Sequence, residues 1–317
     1  MTNFISVVGT VFVDCKGFAN EQYNALGRNL GSIQFVHGGV GRNVVENLAN
    51  LGLSTALVST VDDSALGEDI KKRLKQLGVS LEYLPATPNQ GMGMWLALLN
   101  ENGELVGSIS QMPNLTTMQH MIMQRGEEIV SGSSHLVLEI DLNEQISRHM
   151  LEIASRHNKP VYGIPGNLEV ILKNRDLLTK LDCFICNNIE AEQLVCSDFS
   201  DMALEQKLAA LQTYVEEQGL QAMVITLGSE GSIFYDRIMK ESGYQPVFPV
   251  EVIDTSGAGD AFFSGTIMGL VRGLKLAEAV VYGTKVAGWT IESKENNCQE
   301  LKEKMQQDEA FQKLLVK

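Results

Sequence analysis

The sequence predicts an α/β protein built on a mostly parallel sheet with helices on both faces. Two observations carry this prediction. Short apolar runs alternate with segments of helical period over almost the whole of the 317 residues, and strand, helix, strand in alternation marks a sheet covered on both sides. Glycine-rich turns at residues 38–43 and 254–265 also lead directly into helical patterns, as βα turns do.

Strand-like runs cover residues 5–13, 55–60, 135–140, 161–164, 183–186 and 222–226. Between them, apolar residues recur at helical spacing over 42–51, 67–77, 117–130, 144–156 and 201–218. Beyond Thr226 the pattern changes: 231–235 and 247–253 read as strands joined by a loop, followed by helices over 258–274 and 276–292. A last helix, rich in Gln, Glu and Lys, reads most simply as a solvated face. One stretch breaks the alternation. Residues 91–99 and 104–110 flank an Asn-Glu-Asn-Gly turn and read as an antiparallel hairpin. Residues 16–36 are too long for a simple βα loop, and such connections are often functional. Segments 15–36 and 90–112 are therefore expected to form a small β lid over one domain spanning 1–317. No repeat or proline-rich linker divides the chain.

Twenty-five Lys and Arg against 39 Asp and Glu leave a formal charge of −14. Such a surface repels a phosphate backbone, which argues against nucleic acid as a partner. The densest basic cluster, Lys71, Lys72, Arg73 and Lys75, reads as one polar helix face. The amino terminus lacks the layout of a secretory signal, and no apolar run is long enough to span a bilayer. Five cysteines, an odd number spread along a long chain, do not form a disulfide framework. The expectation is a reduced, cytoplasmic protein with no membrane partner. Cys183 and Cys186 form a CxxC within a strand-like run, where residues three apart face opposite sides and cannot share a metal. They read as buried structural thiols.

The strongest local signal is Asp254-Thr-Ser-Gly-Ala-Gly-Asp260-Ala-Phe-Phe-Ser-Gly265. Gly257, Ala258 and Gly259 leave the amides of a helix N-terminus open to an anion. Asp260 follows in the first turn. Two readings fit this motif by itself: an Asp-capped helix, or a general base that takes a proton from a hydroxyl while the amides hold a phosphoryl group. Gly38-Gly39-Val-Gly41-Arg42-Asn43 opens the first helix and is neither a Walker loop nor a dinucleotide fingerprint. It permits close approach of a polar ligand. Asn43 there, with Asp14 from the first strand, suits sugar hydroxyls; a capped tight turn is the alternative. Asn187 and Glu190 at a helix start could hold a hydrated Mg²⁺ and phosphate oxygens, or simply cap the helix. Thr226, Gly228 and Gly231 sit where a strand enters a glycine turn.

Together, in this order, Asp14, GGVGRN, NxxE, TLGSEG and DTSGAGD resemble the ribokinase-like (PfkB) carbohydrate and nucleoside kinases, over essentially the whole chain. The resemblance implies a three-layer sandwich with a β lid, ATP and Mg²⁺ as cofactors, and transfer of phosphate to a primary hydroxyl of a ribosyl compound. It implies Asp260 as base, with the Gly257, Ala258 and Gly259 amides stabilising the transferred group. Asp14, Gly39, Gly41 and Asn43 would bind substrate, with Glu139 and Asp141 as further contacts. Asn187, Glu190, Thr226, Gly228 and Gly231 would serve the nucleotide, with Glu190 reaching Mg²⁺ through water. Asp254, Thr255 and Ser293 are implied as a site for a monovalent cation such as K⁺. Lid pairing in the family implies a homodimer.

Within the family, GGVGRN, the stretch 102–112 and Glu295-Asn-Asn297 are similar to pseudouridine kinases, whereas ribokinases carry lysine at the position of Val40 and alanine at that of Arg42. The expected acceptor is thus pseudouridine, giving the 5′-phosphate. Gln111, Gly163-Ile-Pro165 and Cys186 depart from the subgroup and bear on the acceptor. The alternatives are a sugar kinase for ribose, fructose or a related sugar, and a non-catalytic sugar or nucleoside binder.

Overall fold

The first apolar run does not stay in one sheet. In a computed structural model, which describes residues 4–88, 90–195, 199 and 201–315, it splits at Gly9 into β1 (Phe4–Val8) and β2 (Phe12–Ala19). β3 (Gly31–Gly38) leads into α1 (Val40–Asn50), followed by β4 (Ser54–Val58), a short β5 (Val61–Asp62), α2 (Ala65–Gln76) and a short β6 (Ala86–Thr87). The hairpin β7 (Gly93–Leu99) and β8 (Leu105–Gln111) comes next. Regular alternation then runs through α3 (Thr116–Ser131), β9 (His135–Glu139), α4 (Glu144–Arg156), β10 (Val161–Ile164), α5 (Glu169–Lys173), β11 (Cys183–Asn187), α6 (Asn188–Val195), α7 (Leu204–Gln218) and β12 (Ala222–Thr226). β13 (Ser232–Asp236), β14 (Glu241–Gln245), α8 (Ala258–Val271), α9 (Leu276–Ile291), α10 (Leu301–Gln307) and α11 (Glu309–Leu315) complete the chain.

The central sheet has eight strands in the order β14-β13-β12-β11-β10-β9-β1-β4. It is parallel from β4 to β12, and the last two strands are antiparallel. This is the α/β architecture expected from the alternation. Each face carries its own core. Phe184 and Cys186 pack with Leu138, Met150 and Leu211 on one side, while Cys183 and Ile185 pack with Val45 and Phe263 on the other. The two CxxC sulfurs therefore face opposite layers, and burial pushes both thiols up. Cys196 lies outside the described residues.

The second sheet has the order β3-β2-β7-β8. The connection 16–36 is thus not a loop but most of an antiparallel pair, and β2 runs parallel to β7. Side chains alternate across a strand, so register assigns the two faces. Asp14 and Lys16 stand on the face that meets Asn296 and Asp254. Cys15, Phe35, Leu96 and Ile109 form a cross-strand row on the opposite face.

Two expectations need correction. Residues 247–253 form no strand; β14 ends at Gln245. Pro246 and Pro249 lack the N–H that a ladder requires. The carboxy-terminal helix is not simply a solvated face: Leu301, Met305 and Phe311 are buried against Met268 and Val286, and the segment is two short helices around Asp308. Among the described residues, no helix is long and apolar enough to cross a membrane.

Candidate active site

Glycines bring the two strongest motifs together. Gly39 has φ +94°, and a Cβ there would sit 2.6 Å from the Thr10 carbonyl oxygen. At Gly41 a Cβ would lie 2.5 Å from the Gly9 carbonyl carbon. Only glycine lets the start of α1 press so closely on the turn between β1 and β2. Gly257 has φ +76°, and a Cβ there would meet the Asn296 carbonyl oxygen at 2.0 Å. That contact seats the loop before α8 against the stretch after α9.

Asn43, in the first turn of α1, and Asp260, in the first turn of α8, then meet directly. The Asn43 Nδ2 donates to Asp260 Oδ2 at 2.6 Å. Burial of the Asp260 carboxyl, reinforced by the like charges of Glu190 and Asp14, pushes its pKa up to about 7; the Asn43 hydrogen bond and Arg42 pull the other way. A carboxylate poised near neutrality beside a helix N-terminus has the character of a general base.

Arg42 explains why Asn43 points where it does. Its side chain is 2 % exposed. Its guanidinium bonds Glu46 at 2.8 Å and Asn297 Oδ1 at 3.0 Å, and also the Asn43 Oδ1 and the His37 carbonyl. With its oxygen held by Arg42, the Asn43 amide must offer its NH₂ to Asp260. Glu46 also holds Arg73, which reaches Glu295 at 2.9 Å. Arg73 is therefore not part of a plain polar face. Asn297 Nδ2 donates to the Asn43 carbonyl at 3.0 Å, and Asn296 Nδ2 to Asp14 Oδ2 at 3.1 Å. Sequence reasoning singled out Glu295-Asn-Asn297 only as a resemblance. Its spacing from GGVGRN hid that these residues form the wall behind Asp14 and Asn43.

Asp14 faces the same region, its pKa raised by burial against the pull of Asn296, Lys16 and Arg42. Beside it, Lys16 donates to Asp254 Oδ2 at 3.2 Å and Ser256 Oγ at 3.4 Å. Asp254, implied as a cation ligand, is thus paired within the chain. Ser293 Oγ accepts from the Glu295 amide at 3.1 Å.

The remaining predicted residues lie on the strand ends below. Glu139 is buried and accepts from the Thr10 amide at 2.6 Å and the Thr10 hydroxyl at 3.0 Å. Burial, with nearby Asp141, raises its pKa to about 8. Asp141 accepts the amides of Gly166 at 2.7 Å and Asn167 at 2.6 Å. Both acids are committed to backbone amides. Asn187 and Glu190 form a reciprocal cap, Asn187 N–H to Glu190 Oε2 at 2.7 Å and Glu190 N–H to Asn187 Oδ1 at 2.9 Å. The Glu190 pKa is raised by burial and by the like charge of Asp141. The cap uses only Oε2 of Glu190, which leaves Oε1 to reach a Mg²⁺ through water, since magnesium keeps several waters and needs few protein ligands.

From the N-terminus of α8 an apolar cleft of about 450 Å³ extends past Thr226, Gly228 and Gly231, with Val250, Val252 and Ile291 on its other wall. Thr255, Ala258 and Gly259 stand where it meets the anion turn. An apolar cleft ending at helix amides can take a nucleotide base and its phosphates.

The pfkB family carbohydrate kinase profile matches residues 2–302. The chain belongs to the pfkB family of carbohydrate kinases. This pfkB kinase is 33 % identical over 294 residues to the guanosine-inosine kinase of Exiguobacterium acetylicum, covering 93 % of this chain and 96 % of that one. It is 30 % identical over 282 residues to the pseudouridine kinase of Escherichia coli K12, covering 88 % and 87 %. Its fold overlays Arabidopsis thaliana ribokinase complexed with ribose and ATP with a TM-score of 0.81 at 20 % identity, covering 99 % of each chain. As a pfkB kinase, it is an ATP-using phosphotransferase acting on a sugar or nucleoside.

Proposed function

We propose that this kinase phosphorylates the 5′-hydroxyl of a ribonucleoside, with a purine nucleoside such as guanosine or inosine as the preferred acceptor. The direct hydrogen bond between Asn43 and Asp260 carries this reading, since it joins the sugar-side motif to the anion-side motif at one carboxylate. Asp14 and Asn43 receive the ribose hydroxyls beside Gly39. Asp260 accepts the proton of the 5′-hydroxyl as its oxygen bonds to the γ-phosphorus and the bond to the bridging oxygen of ADP breaks. The amides of Gly257, Ala258 and Gly259 hold the charge on the phosphoryl oxygens. Mg²⁺, when bound with ATP near Glu190 and Asn187, neutralises phosphate charge. Thr226, Gly228 and Gly231 line the nucleotide path.

The acceptor class follows the relatives. The greater similarity to the guanosine-inosine kinase supports putting purine nucleosides ahead of pseudouridine. Pseudouridine stays as a second reading because GGVGRN and Glu295-Asn-Asn297 have the form of that subgroup. The second sheet acts as the lid, since an open site would admit water as a competing acceptor. Its outer row of Phe35, Leu96 and Ile109 is exposed and apolar, which supports a homodimer through the lid. ATP use and the free thiols among the described residues fit a cytoplasmic setting.

ADP release with Mg²⁺-ATP against guanosine, inosine, pseudouridine, uridine and ribose tests the proposal. Guanosine or inosine is expected to give the highest kcat/KM, and Asp260→Asn to lose about 10²–10⁴-fold in kcat while still binding ADP. Highest activity on pseudouridine, with little on uridine, would establish the second reading instead. Activity on ribose alone, or an active Asp260→Asn protein, would overturn both.

A further inference from the structure

Asp254 stands three residues before Gly257, at the entry to the anion turn. An uncompensated carboxylate there would repel the phosphates that the helix amides attract. The side chains of Asp254 and Ser293 are engaged within the chain rather than left to a free monovalent cation. The Asp254 Oδ1 accepts the Ser256 N–H at 2.8 Å, and Oδ2 accepts the Lys16 ammonium at 3.2 Å. Ser293 Oγ is engaged by the Glu295 amide. Lys16 is 7 % exposed, whereas the Asp254 side chain is 32 % exposed, so the ammonium is held inside the chain while water still reaches its partner.

We propose that Lys16 is the built-in cation of the anion turn, supplying from the second sheet the positive charge that a free monovalent ion would otherwise bring to Asp254. An ammonium is close to K⁺ in size and charge, but it also donates directional hydrogen bonds, here to Asp254 and Ser256. These hold the Asp254–Ser256 turn in the shape that opens the amides of Gly257, Ala258 and Gly259. Lys16 is a positioning residue, since it acts on the phosphoryl group through this turn. Because Lys16 and Asp14 are two apart on β2 and share one face, one strand of the second sheet serves both the sugar side and the phosphate side. The order of the turn then depends on where that sheet sits.

The inference rests on the kinase reading of the site, and the test separates the two. ADP binding by calorimetry and turnover are measured in potassium-free tetramethylammonium buffer and again with KCl. The wild-type protein is expected to change less than about twofold in either quantity. Lys16→Met is expected to weaken ADP binding and turnover on the order of tenfold or more, and to regain most of both with KCl. Lys16→Arg, which keeps the charge, is expected to stay indifferent to KCl. A wild-type protein that requires KCl, or a Lys16→Met protein that is folded by thermal melting and unchanged in ADP binding, would overturn the proposal. ADP binding does not depend on the acceptor, so a mistaken acceptor would silence turnover and leave this readout intact.

Discussion

Asp260 is a carboxylate on ground that disfavours its charge, and the Asn43 amide is the largest influence against that. Burial and the acids Glu190 and Asp14 push its pKa up to about 7, while Asn43 and Arg42 draw it down. In the proposed role of base it would work only deprotonated, so kcat/KM should climb with pH through a limb centred near 7 and then level off. Asn43→Ala removes a bond that favours the charged form, so the limb should move to higher pH. A pH profile of both proteins checks this, and an unmoved limb would detach Asp260 from the acid titration. Residue identities here were partly legible in the sequence. The residue types of DTSGAGD and GGVGRN implied a base, an anion turn and a polar partner. Their contact did not, because 217 positions separate Asn43 from Asp260.

At the scale of elements, glycine spacing sets how close helices and strands approach. Gly41 in α1 faces Gly9 at the end of β1 with room for no side chain on either. Gly41→Ala would have to push α1 and Asn43 away from the sheet, at a cost of about 1–3 kcal/mol. A lowered urea midpoint with an unchanged slope is the expected result, accompanied by reduced turnover as Asn43 leaves Asp260. Wild-type stability in this variant would show that the helix can slide without loss. The same scale holds the misread elements. The run 5–13 is apolar apart from Ser6, Gly9 and Thr10, yet it serves two sheets, because Gly9 marks a change of direction that hydropathy does not record. Val247, Phe248, Pro249, Val250 and Val252 are apolar for a different reason: they line the cleft rather than pair in a sheet.

At the scale of the molecule, the second sheet has two unlike faces. Asp14 and Lys16 look toward the site, and Phe35, at 57 % exposure, and Ile109, at 68 %, look away from it. If that outer row pairs between subunits, the protein should be a dimer by light scattering. Phe35→Glu and Ile109→Glu should then each yield monomers that remain folded. A monomeric wild-type protein, or charged variants that stay dimeric, would rule out pairing through this face. An acidic molecule of formal charge −14 can still admit ATP, because the helix amides, Lys16 and the Mg²⁺ proposed above would supply local attraction that net charge does not describe.

The sequence by itself determined the α/β class, the alternation of strands and helices, and the residue types of the two glycine motifs. These follow from period and turn chemistry, which are local. Only the tertiary structure decided that Arg42 orients Asn43, that Asn296 and Asn297 close the wall behind Asp14, and that Lys16 matches Asp254. Those relations join residues more than two hundred positions apart, or depend on a side-chain direction that no local pattern encodes. Chain topology brings them within hydrogen-bonding distance, and burial then makes each pairing necessary.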